Sequence, residues 1–337
     1  MRRLTGSITG WVGLPSVSAP AALAAVLALT PLAVDGAPRL RSEIESLLGP
    51  APAPGSLSAR PLAVVWVWGD GDGHPVGSHD FSANRDRWLG LFRSVPGVTA
   101  SSAYYWPTAE QWSAADLVIF DLRLRADLND SCYRQLDGYL ARGRGLAVIH
   151  AGLTQFQSDS PVNAKFAARV GLSWRDGTAA YREGDIDVRT DPAHPHPLTT
   201  GLPATMRFTD EAYFHLSGDT TSIQVMARLQ ENGVAWPMLW TKAIGGGRVF
   251  CSVPGHFNRT HDDALYRILI LRGLAWAAGD PFQRFRAMVT KDAEMIEDVP
   301  VALWRSPVLE RGEVTLVLPK WVWTDLLGRR EPARVGK

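Results

Sequence analysis

The chain has 337 residues, 46% of them apolar and 20% charged, and a formal net charge of +1. This is ordinary for a globular enzyme and permits a full hydrophobic core in one large domain or two of usual size. The near-zero charge, with no Lys/Arg block, excludes a general attraction to nucleic acid, and two cysteines exclude a zinc site built on cysteine pairs.

At the amino end, Arg2 and Arg3 precede a mixed segment and then an apolar run, Ala21 to Val34, broken by Pro31. The pattern reads as a secretory signal ending near Gly36-Ala37, with Asp35 standing where a small residue is expected. Fourteen residues are too few for a stable membrane span. The expectation is an exported protein, periplasmic or secreted; the alternative is a cytoplasmic one with a disordered or surface-packed tail. Gly49 to Gly55, rich in Pro and Ala, reads as a linker. Residues 1–59 are therefore assigned to signal and linker.

Leu62–Trp68 is wholly apolar and predicts a first strand, opening into the glycine-rich Gly69–Gly73. A helix is expected from about Ala83 to Val95, with Trp88, Leu91, Phe92 and Val95 on one side. Val98–Trp106 and Asp116–Asp121 predict two further strands. Asp130 or Ser131 caps the next helix, whose apolar positions keep helical spacing to Gly143. Gly145–Ile149 is a fourth strand, four apolar residues in a row before His150-Ala-Gly152. The alternation β-α-β-α-β-α-β predicts right-handed crossovers and a mainly parallel sheet covered on both faces. Asp185–Arg189 alternates like a half-exposed strand, and Asp191–Pro197 must be a loop. Val225–Leu229, Trp236–Thr241 and Gly247–Val253 add strands, with Gly245–Gly247 as a hairpin turn. A helix follows from His261 to Ala278, capped by Thr260 with Asp263 three residues later, and ended by Gly279 and Pro281. Beyond it, Arg284–Ile296 suggests a helix and Val314–Leu318 a short strand. Most of the thirteen tryptophans and both cysteines read as core.

Parallel α/β folds place their chemistry beyond the carboxyl ends of the strands. Three such ends deliver histidine here: His74 and His79 after the first strand, His150 after the fourth, and His256 after Gly247–Val253. Imidazole, with an unperturbed pKa near 6.5, suits proton transfer near neutrality. His150 stands at the tip of a strand-turn element that elsewhere raises a nucleophile; a histidine there points to proton transfer or metal ligation instead. His74, His79, Asp80 and His256 are candidate ligands for a divalent metal, zinc, manganese or iron. In Asp210-Glu211-Ala-Tyr213-Phe-His215, an extended chain sends Glu211, Tyr213 and His215 to one face. His194 and His196 read as loop residues.

In this order, Gly-His…His-Asp after strand one, Ile149-His-Ala-Gly152, His196-Pro-Leu-Thr-Thr-Gly-Leu202, Asp210-Glu211, Gly246–Phe250 leading to Gly255-His256, and Arg272–Trp276 resemble the ThuA-like (trehalose-utilisation) family. The likeness covers about Leu62 to Asp280, so 60–280 is the expected domain and 281–337 an extension without a role assigned by analogy. The resemblance implies an α/β, flavodoxin-like fold related to class I glutamine amidotransferases, with His150 at the position of their elbow cysteine, so glutamine hydrolysis is not expected. It also implies uptake and breakdown of trehalose and related disaccharides, including oxidised keto-sugars.

The reading that follows is an enzyme acting on a disaccharide or oxidised glycoside as isomerase, lyase or hydrolase. His150, His256 and Glu211 are the expected catalytic residues, with Tyr213, His215 and Asp210 binding substrate. A small-molecule sugar is the expected partner, and a homo-oligomer is allowed. The rival reading is a non-catalytic carbohydrate-binding or accessory domain.

Overall fold

A computed structural model describes residues 39–52, 60–124, 128–154, 161–191, 195–293 and 295–296. The expected signal segment, His194, and residues 297–337 of the carboxyl-terminal extension, with Val314–Leu318 among them, lie outside them.

The chain enters with β1 (Arg39–Leu40) and α1 (Arg41–Leu48), a segment the sequence reading assigned to the linker. Both belong to the folded body. Arg39 grips the carboxylate of Asp263 at 3.0–3.1 Å, and Ile44 is 1% exposed. Replacing Ile44 with Ala should therefore destabilise the domain by about 2–5 kcal/mol, as for other buried aliphatic truncations; an unchanged denaturant midpoint would return α1 to the linker.

The next elements follow the predicted alternation closely: β2 (Leu62–Trp68), α2 (Phe81–Arg93), β3 (Val98–Tyr104), α3 (Ala109–Ala114), β4 (Leu117–Phe120), α4 (Asp130–Ala141) and β5 (Gly145–Ile149). Helix α3 is the one with no sequence assignment. It is only six residues long, and a capping box between Thr108 and Gln111 marks its start. After α5 (Pro161–Val170) and β6 (Leu172–Ser173) come the long strands β7 (Ala180–Thr190) and β8 (Thr205–Phe214). Then follow β9 (Ser217–Gly218), β10 (Gln224–Glu231), β11 (Val234–Ile244) and β12 (Gly247–Ser252). The predicted helix from His261 begins differently. A short α6 (Asn258–Asp262) precedes α7 (Ala264–Ala278), and Asp263, not Thr260, is the cap of α7, accepting from the N–H groups of Leu265 and Tyr266. Gly279 closes α7 in the left-handed conformation at φ +68°. The segment expected as a helix over Arg284–Ile296 divides into a 3-10 turn, α8 (Arg286–Thr290) and β13 (Met295–Ile296), and β13 pairs with β1.

One nine-stranded sheet organises the fold, in the order β3-β2-β4-β5-β12-β11-β10-β7-β8. From β3 to β12 the pairs are parallel; from β12 to β8 they are antiparallel. The α/β, flavodoxin-like reading holds, with a sheet that is mixed rather than purely parallel. Strands β2, β4 and β5 are buried along almost their whole length, as their unbroken apolar runs require, whereas β3 at the sheet edge is largely accessible. Helix α7 covers β5 and β12 and is buried on nearly every side. Trp66, Trp88 and Trp240 are fully buried, and Trp66 stacks on Trp88 at 5.5 Å, so these tryptophans are core. Among the described residues, no helix is long and apolar enough to cross a membrane.

Candidate active site

Three chain segments meet beyond the carboxyl ends of β2, β5 and β12, and each carries histidine. The β2 loop is pinned to the β12 loop by backbone hydrogen bonds, His79 N–H to His256 O at 3.1 Å and Asn258 N–H to Gly77 O at 2.9 Å. His150 follows β5 at φ +45° and His79 adopts φ +48°. Such left-handed backbone in a residue other than glycine costs roughly 1–3 kcal/mol and persists only where surrounding contacts enforce it. Two glycines permit the crowding. A Cβ on Gly152 would lie 2.7 Å from Phe120 O, and one on Gly255 would lie 2.8 Å from Ile149 Cγ2 and 3.3 Å from His150 Cβ. The turns after β5 and β12 can approach this closely only without side chains.

At the centre, His150 donates from Nδ1 to Val253 O at 2.6 Å. Its Nε2 faces three groups at once: Tyr213 Oη at 2.9 Å, His256 Nδ1 at 3.0 Å and Glu211 Oε2 at 3.1 Å. The same Glu211 oxygen lies 3.3 Å from His256 Nδ1. His79 rings this group, its centroid 5.0 Å from that of His150 and 4.5 Å from that of His256. His79, His150, Glu211 and His256 are all buried, and their ligand atoms lie within 4.8 Å of one another.

The electrostatics follow from burial and mutual charge. Burial alone would raise the Glu211 carboxyl, but hydrogen bonds from His150 and His256 outweigh it and hold the group below the usual carboxylate range. Burial works to lower His150, and Glu211 overrides it, so the imidazole is shifted upward. His79 goes the other way: burial pushes it down to about 4 despite its bond to Asp72. Neutral at physiological pH, it donates Nδ1–H to Asp72 Oδ2 at 2.7 Å. His74 Nδ1 lies 2.5 Å from the other Asp72 oxygen. Burial would raise Asp72, yet the bonds from His79 and His74 bring it down to about 2.

The remaining candidates take different places. Tyr213 stacks on the His150 ring, centroids 4.7 Å apart. Asp210 is fully buried, and its Oδ1 accepts from Glu211 N at 2.7 Å, His256 N at 3.0 Å and Gly255 N at 3.1 Å. It positions the β12 turn and does not meet the imidazoles. Asp80 stands apart from the clustered ligand groups. It caps α2, accepting from Ala83 N at 3.2 Å, and holds Asn258 Nδ2 at 3.3 Å. His74 joins Asp72, one step outside the central four. His215 does not share a face with Glu211 and Tyr213. Strand β8 ends at Phe214, and His215, at φ +54°, turns outward against Trp236 with ring centroids 4.4 Å apart. His196 is buried and caps a 3-10 turn, accepting from Leu198 N, so its motif is structural.

Two acids went unassigned in the sequence. Asp72 sits in a glycine-rich stretch without periodicity, and only its pairing with histidine reveals it. Asp121, the last residue of the third predicted strand and the first after β4, is fully buried, and burial raises its carboxyl to about 7. The register of β7 with β8 extends the site outward, pairing Glu183 with Glu211 and Tyr181 with Tyr213. Glu183 Oε1 lies 3.9 Å from His256 Nε2, with its side chain 53% exposed. Trp174 packs on Tyr213 at 5.1 Å and neighbours the exposed Tyr181 at 6.2 Å. Both cysteines are free thiols; Cys251 is buried within β12, and burial raises its thiol well above the usual value.

A family model described as trehalose utilisation (ThuA) matches residues 95–277, more than half of the chain. Among solved structures, a ThuA-like protein of Parabacteroides merdae is 19% identical, with 66% of this chain and 91% of that one covered and a TM-score of 0.52. A ThuA-like protein of Bacteroides uniformis is 16% identical, with coverage of 69% and 99% and a TM-score of 0.52. At these identities the likeness concerns the fold. No curated protein matches by sequence.

Proposed function

The chain belongs to the ThuA (trehalose utilisation) family, and from that membership we propose that it is a carbohydrate-metabolism enzyme acting on a disaccharide or oxidised (keto) glycoside. The observation that carries this reading is the convergence of Tyr213, His150, His256 and Glu211 within 3.3 Å contacts in a buried cluster. Packing alone does not call for four groups that accept or donate protons at a single point, since apolar side chains fill a core without the desolvation cost that these groups must offset by pairing. In a keto-sugar, the carbonyl acidifies the neighbouring C–H, and a base of this cluster removes that proton. The Tyr213 hydroxyl, adjacent to the same nitrogen, returns a proton to the departing or rearranging oxygen. Isomerisation, elimination and hydrolysis all use such a pair, with acid/base or metal-assisted chemistry. Outside the buried centre, Trp174 and Tyr181 offer aromatic faces for a pyranose, and Glu183 offers an acceptor for hydroxyl groups. No thiol stands at the elbow, which leaves amidotransferase chemistry without its nucleophile.

The test is a screen of the purified protein against matched native and 3-keto disaccharides, following consumption by mass spectrometry. Turnover of the oxidised members is expected. Sugar binding without turnover, unaffected by loss of His150, would replace the enzyme with a carbohydrate-binding domain.

A further inference from the structure

We propose that His79, His150, His256 and Glu211 form one divalent transition-metal site, with Asp72 orienting His79 from outside it. The inference takes from the functional reading only the location of the site, and it settles which of its two chemistries applies.

Three facts point to an ion. The first is the direction of the lone pairs. His79 and His150 both commit Nδ1–H outward, to Asp72 Oδ2 and to Val253 O. His79 is therefore left with Nε2 as a bare acceptor on the inner side, and His150 turns its own Nε2 to the same side, towards Glu211 and His256. Second, His79 Nε2 is buried and has no hydrogen-bond partner. A buried acceptor left unpaired is costly, and here it belongs to a ring packed against His150 and His256. Third, the spacing suits a shared ion. Around zinc at bond lengths of about 2.1 Å, tetrahedral ligand atoms lie about 3.4 Å apart. His150 Nε2, His256 Nδ1 and Glu211 Oε2 are separated by 3.0, 3.1 and 3.3 Å.

The donor set also selects the ion. Three imidazole nitrogens and one carboxylate oxygen suit zinc, manganese or iron, and are poor for magnesium or calcium, which prefer all-oxygen shells. The Asp72–His79 pair is the carboxylate–imidazole arrangement that fixes ring orientation and raises ligand basicity at metal sites. With the ion in place, Tyr213, Glu183 and His74 are polar groups beside the ligands that do not themselves bind it.

The experiment uses the full chain, stripped with chelator and then titrated with zinc, manganese and cobalt, with metal counted by elemental analysis. We expect close to one ion per chain. The cobalt form should show three exchangeable imidazole N–H signals displaced by the paramagnetic ion in the proton NMR spectrum, a readout needing no mutant. His79→Ala and Glu211→Gln should weaken binding more than the 10–100-fold expected for Asp72→Asn as an outer partner, while His215→Ala should leave affinity unchanged. Absence of stoichiometric metal, absence of the displaced imidazole signals, or binding that survives both ligand substitutions would overturn the site. Sugar turnover that persists in the metal-free protein would remove the metal proposal and leave the enzyme standing. Metal held by these residues with no sugar turned over would do the reverse.

Discussion

Replacing His150 with Ala should lower turnover of a responsive sugar by at least about a hundredfold, the small end of what a positioned acid/base contributes, without unfolding the protein. The argument rests on how little of the fold depends on this side chain. Its single bond to the scaffold is Nδ1 to Val253 O; every other polar contact is to the cluster itself. Alanine inherits a backbone already at φ +45°, so the strain of the turn is kept and not newly introduced. Glu211 retains His256 at 3.3 Å and is not left as an unpaired buried charge. His150→Asn controls for the backbone, since asparagine tolerates left-handed φ better than most residues. Both variants should keep the circular dichroism spectrum and both should be inactive. A folded variant of either kind with full turnover would end the claim that this imidazole takes part in the chemistry.

What could be read in advance was whatever a local pattern encodes. Leu62–Trp68 and Gly145–Ile149 are apolar without interruption because both faces of their strands are covered, and a strand end carrying His150 announces a crevice in any parallel sheet. Long-range pairing was not encoded in that way. The strands of the second half were visible singly, but β7 reaches both β8 and β10, and no local signal reports that order. Asp72 escaped notice for the same reason, because its loop takes its path from contacts with residues 256–258. Asp80 turns on a helix boundary: a start at Ala83 leaves a carboxylate next to histidine as a ligand candidate, whereas α2 starts at Phe81 and makes it a cap. His215 shows the limit of strand periodicity, which held through Tyr213 and failed where the backbone left β8. Helix α1 was masked by the proline-rich stretch that follows it.

Asp210→Ala is expected to be the most damaging single substitution for stability near the site, by about 3 kcal/mol or more. One carboxylate oxygen receives the N–H groups of Glu211, Gly255 and His256, and each buried donor left without a partner costs about 1–3 kcal/mol. Water offers no easy substitute, because Asp210 is 0% exposed and Gly255 is packed against Ile149 and His150. Asp210→Asn keeps an oxygen in the same place and should recover most of the loss, which separates the hydrogen-bonding role from simple packing. The functional consequence differs from that of His150. Asp210 touches none of the imidazoles, but it sets the backbone of the turn on which His256 stands, so turnover should fall through misplacement of that ring while the cluster's chemistry stays intact. Denaturant titration of the two variants beside the parent chain provides the check. Equal midpoints for all three would mean that the β12 turn holds itself, and that the convergence of histidines there needs another explanation.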